Sequence, residues 1–136
     1  MKEYIMKNDV KTFGKAVPTF PLGIDEVFNE LMKKTGDAAG KRDYYGISEY
    51  KNGKMHYYAV AAEKSADEGK RLGYETFIID KGEYLADELT DWQNNTQCIK
   101  DIFTKIIQDE TVDTRKPAIE WYKNDHEMLC MVMMKK

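Results

Sequence analysis

YYGISEYKNGKMHYYAVAAE, residues 44–63, has the pattern of two strands folded about Asn52-Gly53. Both residues of a two-residue hairpin turn must accept positive φ, and Asn-Gly does so at little cost. That turn pairs Tyr45 with Val60 and Ile47 with Tyr58, so Tyr45, Ile47, Glu49, His56, Tyr58 and Val60 share one face. Upstream of the hairpin, Ile24, Val27, Phe28, Leu31 and Met32 form one apolar stripe at helical spacing. Asp25 and Glu26 occupy the first turn of this predicted helix and Lys33 and Lys34 its last, with Gly36 as a natural stop.

The same grammar recurs downstream. Ile99, Ile102, Phe103, Ile106 and Ile107 repeat the stripe, with Asn94, Asn95 and Thr96 as candidate N-caps. An offset of 75 residues superposes Phe28 on Phe103. A strand over 118–123, a turn at Asn124-Asp125 and a strand over 127–133 follow, and further strands are expected at 11–19, 74–80 and 84–89. The expected fold is α+β, with two pseudo-symmetric βαββ halves, about 8–63 and 74–134, in one domain spanning 1–136. They would form an antiparallel sheet with two helices on one face and a ligand cleft on the other. The polar stretch 64–73 would join the halves.

Composition narrows the function classes. Hydrophobic residues make up 42% and charged residues 33%, a globular balance, and the net charge of -3 provides no basic footprint for nucleic acid. His56 and His126 lack ligand-like spacing and no CxxC pair occurs, so neither a metal site nor a cofactor is expected. Cys98 and Cys130 fall in apolar stretches and are expected as free, buried thiols, which suits a reducing, cytoplasmic setting. The N-terminal residues 1–11 lack the apolar run of a signal peptide, and no segment reaches the length of a membrane span.

Strand parity then selects candidate site residues. A two-residue turn at Asn124-Asp125 pairs Lys123 with His126, Tyr122 with Glu127 and Glu120 with Leu129. Ile119, Trp121, Met128, Cys130 and Val132 would then lie beneath the helices. Ala118, Glu120, Tyr122, Glu127, Leu129 and Met131 would face away. The repeat offset sets Glu120 where Tyr45 sits. The helix-free face is thus expected to carry Glu120 among Tyr45, Tyr58, Tyr122 and Met131, with Trp92 as a ligand shelf or a lid over the core. A carboxylate ringed by aromatics suits a flat, hydrophobic cation, and Met and Tyr favour permissive recognition. The plainer readings are a solvated strand glutamate and tyrosines covering a half-wet sheet. The acids Asp80, Glu83, Asp87, Glu88 and Asp91 read as a solvated face, with a metal or protein-partner site as the alternative.

Pro117-Ala118-Ile119-Glu120-Trp121-Tyr122, a Pro-x-aliphatic-Glu-x-Tyr run before the final strand, resembles the GyrI-like effector-binding domain of bacterial transcription activators. The likeness extends to the helix at 24–32, to Tyr45-Gly46-Ile47 and to Phe77-Ile78-Ile79-Asp80-Lys81-Gly82-Glu83-Tyr84-Leu85-Ala86. The resemblance implies SHS2-like halves with a cleft between them, multidrug-type binding of lipophilic cations, and a central glutamate at Glu120. There is no room for a helix-turn-helix before Phe13 and no basic recognition helix, so a stand-alone member without direct nucleic-acid contact is expected. The implied function is binding of hydrophobic, cationic small molecules, for sensing or sequestration, rather than catalysis. Stand-alone relatives imply an alternative, a hydrolase of small electrophilic compounds using Glu120. Other members imply a protein-interaction role such as modulation of a topoisomerase.

Overall fold

The Asn52-Gly53 turn forms as expected, with φ of 53° and 78°, between β3 (Tyr44–Lys51) and β4 (Lys54–Ala62). Its register pairs Tyr45 with Val60 and Ile47 with Tyr58. In the computed structural model, which describes residues 1–20, 22–37 and 41–136, this hairpin belongs to one antiparallel sheet. The other strands are β1 (Lys2–Met6), β2 (Val10–Ala16), β5 (Glu75–Ile79), β6 (Gly82–Thr90), β7 (Ala118–Tyr122) and β8 (Glu127–Met133). The helices are α1 (Ile24–Thr35), α2 (Glu68–Arg71) and α3 (Gln97–Ile107), with a 3-10 turn at Trp92–Asn94.

Strand order is β1-β6-β8-β7-β3-β4-β2-β5. The two halves meet where β3 pairs with β7, and each continues in the same way, through β4 and β2 or through β8 and β6. At the edges they exchange strands. β1 of the first half pairs with β6 of the second, and β5 of the second pairs with β2 of the first. The fold is α+β with two pseudo-symmetric halves.

One face of the sheet is sealed by the sheet's own curl. Met6 from β1 and Ile79 from β5, at opposite edges, join Tyr45, Val60, Leu129 and Met131 in a single buried cluster. The helices cover the other face with two separate clusters. Under α1 lie Phe13, Leu31, Tyr57 and Ala59, and under α3 lie Leu85, Ile106, Met128 and Cys130. Tyr122 packs against both clusters. Gly36 ends α1 at φ 72°, its N–H bonded to the carbonyls of Lys33 and Met32.

The last hairpin departs from the expected register by one residue. Asn124 Oδ1 accepts the N–H groups of both His126 and Glu127, each at 2.8 Å, and Lys123 N–H bonds to the Glu127 carbonyl at 3.1 Å. This asparagine-held loop absorbs one residue more than a two-residue turn. Tyr122 therefore pairs with Met128, Trp121 with Leu129 and Glu120 with Cys130. A slip of one residue exchanges the faces. Glu120 and Tyr122 join Met128, Cys130 and Val132 on the helix side, while Ile119 and Trp121 join Leu129 and Met131 inside the curl. The face expected to be open is packed shut, with Tyr45 at 3% exposure and Met131 at 0%.

Three elements escaped the sequence reading: β1, α2 within the polar stretch 64–73, and the turn at Trp92. Among the described residues, no helix is long and apolar enough to cross a membrane. Both cysteines are free, with Cys130 buried and Cys98 only half-buried.

Candidate functional site

Glu120 lies on β7 directly opposite Gly46 of β3. Because Gly46 has no side chain, Tyr57 can reach over it from β4, the next strand along. The Tyr57 hydroxyl donates to Glu120 Oε1 at 2.7 Å, and the Tyr122 hydroxyl donates to the same oxygen at 2.7 Å. Among the described residues, no donor is bonded to Oε2 and no basic side chain pairs with this carboxylate. Oε2 is not fully sealed: among the described residues the sealed side-chain atom without a partner is Arg42 Nε, away from this site.

Burial sets the electrostatics. Glu120 is 8% exposed, and that desolvation raises its pKa above the ordinary carboxylate range, while the two tyrosine donations pull the other way. Burial, reinforced by the Glu120 charge, pushes Tyr57 and Tyr122 well above ordinary phenols. Burial first, then the Glu120 charge, also drives the Cys130 thiol up to about 12. A buried carboxylate without a cation is expensive, because desolvation removes its hydration and nothing of opposite charge replaces it.

Above Tyr122 a cleft opens between α1 and the Trp92 turn. Phe28 meets Tyr122 edge-on at 5.5 Å and Tyr44 at 5.9 Å, and Trp92 meets Tyr122 at 4.8 Å. The Trp92 indole N–H bonds to the Asn124 carbonyl at 2.9 Å, fixing the far wall. The cleft has a volume of about 280 Å³, is walled by Ile24, Phe28, Met32, Tyr44, Trp92 and Tyr122, and has Asp25 and Asp125 among its polar lining. Among the described residues, no Lys or Arg lines it. Tyr122 lies between the cleft and Glu120, since it lines the one and bonds to the other. Phe20 stacks on Tyr57 at 4.5 Å.

Of the residues selected from sequence, Glu120, Tyr122 and Trp92 come together here. Tyr45, Tyr58 and Met131 lie across the sheet, where Tyr45 stacks on Trp121 at 5.9 Å and Tyr58 packs on Phe77 at 4.7 Å. The residues overlooked are Tyr57, Gly46, Phe28 and Tyr44. Parity would have found Tyr57 once the final hairpin was in register. Phe28 read only as part of a core stripe. Tyr44 meets the site through the β3–β7 pairing, which no local signal announces. Among the described residues, no cluster of His, Cys, Asp and Glu could hold a metal ion.

No protein-family model matches the chain, and no curated protein matches it significantly. Its architecture is shared by solved structures. An integron cassette protein from the mobile metagenome of Vibrio cholerae superposes with a TM-score of 0.66 at 11% identity, covering 99% of this chain and 100% of the other. A putative bacterial transcription regulation protein from Staphylococcus aureus MU50 gives 0.64 at 14% identity, covering 100% and 99%. SAV2435, solved bound to tetraphenylphosphonium, gives 0.63 at 15% identity, covering 99% and 94%. At these identities the likeness is one of architecture, and the chain has the GyrI-like fold that residues 117–122 implied.

Proposed function

We propose that this protein binds a hydrophobic, cationic small organic molecule in the cleft between α1 and Trp92, for sensing or sequestration. The observation that carries the reading is a buried carboxylate, Glu120, with no basic partner, beneath a cleft walled by aromatic rings. A cation seated on Tyr122 would be drawn by the ring faces, worth about 0.5–2 kcal/mol. At about 7 Å from the carboxylate it would gain on the order of 2 kcal/mol more at an effective dielectric of about 20. The two contributions are comparable, so both the rings and the acid are needed. The similar fold of SAV2435, which is bound to tetraphenylphosphonium, supports this ligand class.

The test is a titration with tetraphenylphosphonium followed by tryptophan fluorescence, alongside neutral triphenylphosphine oxide. Glu120→Gln is expected to weaken the cation by about tenfold or more and to leave the neutral analogue unchanged. Equal cation affinity in both proteins overturns the proposal.

A second reading rests on the same carboxyl. A glutamate with a raised pKa, in contact with two phenols, has the makings of a general acid–base for hydrolysing a small electrophile. Turnover of an epoxide probe that disappears in Glu120→Gln would favour it; binding without product favours the first.

A further inference from the structure

We propose that Gly46 is a positioning residue of this site: its missing side chain makes the notch in which the Tyr57 hydroxyl and the Glu120 carboxylate meet. Position 46 thereby sets how many donors the carboxylate holds. The consequence for ligands rests on the binding reading above; the geometric claim stands apart from it.

A glycine inside a strand weakens the strand unless something needs the space. Gly46 is not among the glycines with positive φ, so its backbone conformation does not demand glycine. A Cβ placed on it would stand 2.0 Å from the Tyr57 hydroxyl oxygen, 2.7 Å from Tyr57 Cζ and 2.6 Å from Glu120 Oε1. Gly14 is also crowded, but there the absent Cβ would strike the backbone of Ala59 at 1.9 Å. At Gly46 the atoms in the way are side-chain atoms, and two of the three are those that form the hydrogen bond.

The groups facing Glu120 are few. Tyr122 comes from its own strand, Gly46 from β3, Tyr57 from β4 and Cys130 from β8. From α1 and the Trp92 turn come Phe28 and Trp92, both resting on Tyr122, with Asp25 and Asp125 at the cleft. None of these is basic. The tyrosine hydroxyls are therefore the main force favouring the charged form of Glu120, and moving one away leaves the carboxyl protonated to higher pH. An alanine at 46 does this by displacing Tyr57, acting through a residue it does not chemically resemble.

The experiment follows the Glu120 carboxyl by ¹³C NMR across a pH titration of the ligand-free protein, in wild type, Gly46→Ala and Tyr57→Phe. Both variants are expected to titrate at higher pH than wild type and close to one another. A Gly46→Ala titration that coincides with wild type overturns the proposal, as does Tyr57→Phe without a shift. If Gly46→Ala alone does not fold, its stability cost is compared by urea unfolding in a Tyr57→Leu background, which supplies the missing room. A smaller cost there supports the notch, and an equal failure overturns it. Tetraphenylphosphonium at pH 7 should bind both variants several-fold more weakly than wild type. If wild type does not bind this cation, the ligand reading falls while the carboxyl titration still decides the role of Gly46.

Discussion

Tyr57 donates its hydroxyl to Glu120 across 63 positions of sequence, from β4 to β7, over a glycine in the strand between them. Glu120 is marked by the run around it, but Tyr57 is one tyrosine in a run of apolar strand residues, and nothing local joins the two. The β3–β7 pairing joins the two halves of the chain and brings them together. It places a carboxyl group where burial disfavours its charge and two phenols partly restore it.

Stability should therefore depend on pH through Glu120. Its folded pKa is raised, so the stability it contributes is present below the ordinary carboxylate range and lost as pH rises through the folded value. Glu120→Gln removes that loss. Urea unfolding of both proteins from pH 3.5 to 8 should show the variant gaining on wild type as pH rises. A difference that stays constant across this window would mean that Glu120 titrates like a solvated acid.

Ligand binding should follow the same group with the opposite slope. A protonated Glu120 presents no counter-charge, so affinity for tetraphenylphosphonium should increase with pH and level off above the raised pKa. With one proton released, the steepest change is about tenfold per pH unit. Calorimetry in two buffers of different ionisation enthalpy would count the proton. No release on binding near the midpoint would separate the cation from the carboxyl.

Much of this architecture is legible in the sequence. The Asn52-Gly53 turn and the two helical stripes are local signals, and β3, β4, α1 and α3 formed where those signals pointed. Glu120 also stood out, through its parity and the run around it. The face on which it lies did not, because that depended on one loop. Asn124 can hold its neighbours' N–H groups with its own side chain, and a short sequence does not say whether it will. The resulting slip carried Glu120 and Tyr122 to the helix side, where Tyr57 lies, and left Tyr45, Tyr58 and Met131 on the face that the curl of the sheet seals. The edge strand β1 escaped because its pairing with β6 joins residues about eighty positions apart, where local pattern has no reach.

That difference between faces predicts a contrast between tyrosines. Tyr122→Phe removes a donor from Glu120 and should weaken cation binding several-fold at pH 7. Tyr45→Phe lies on the sealed inner face and should leave binding unchanged. Trp92→Leu removes one aromatic wall and should cost about tenfold in affinity, roughly 1.4 kcal/mol. Fluorescence titration of the three variants checks the set; a Tyr45→Phe effect as large as that of Tyr122→Phe would move the site to the other side of the sheet.

Buried Arg42 and half-buried Glu68 form a charge pair that behaves in the reverse sense. The guanidinium grips both carboxylate oxygens, at 2.6 and 3.0 Å, and donates to the Ala62 carbonyl at 2.9 Å, tying α2 to the end of β4. Arg42 is only 6% exposed, so removing its partner strands a buried cation. Glu68→Ala should cost about 3–5 kcal/mol at pH 7, and replacing both residues with leucine should recover a large part of that. Hydrogen bonding from Arg42 holds the Glu68 pKa below its ordinary value. The stability from this pair is present above the ordinary carboxylate range and lost as pH falls through the depressed folded value. Urea unfolding should therefore show a wide gap between wild type and Glu68→Ala at pH 7 that narrows toward pH 3. A gap that does not narrow would mean that Glu68 acts through packing rather than charge.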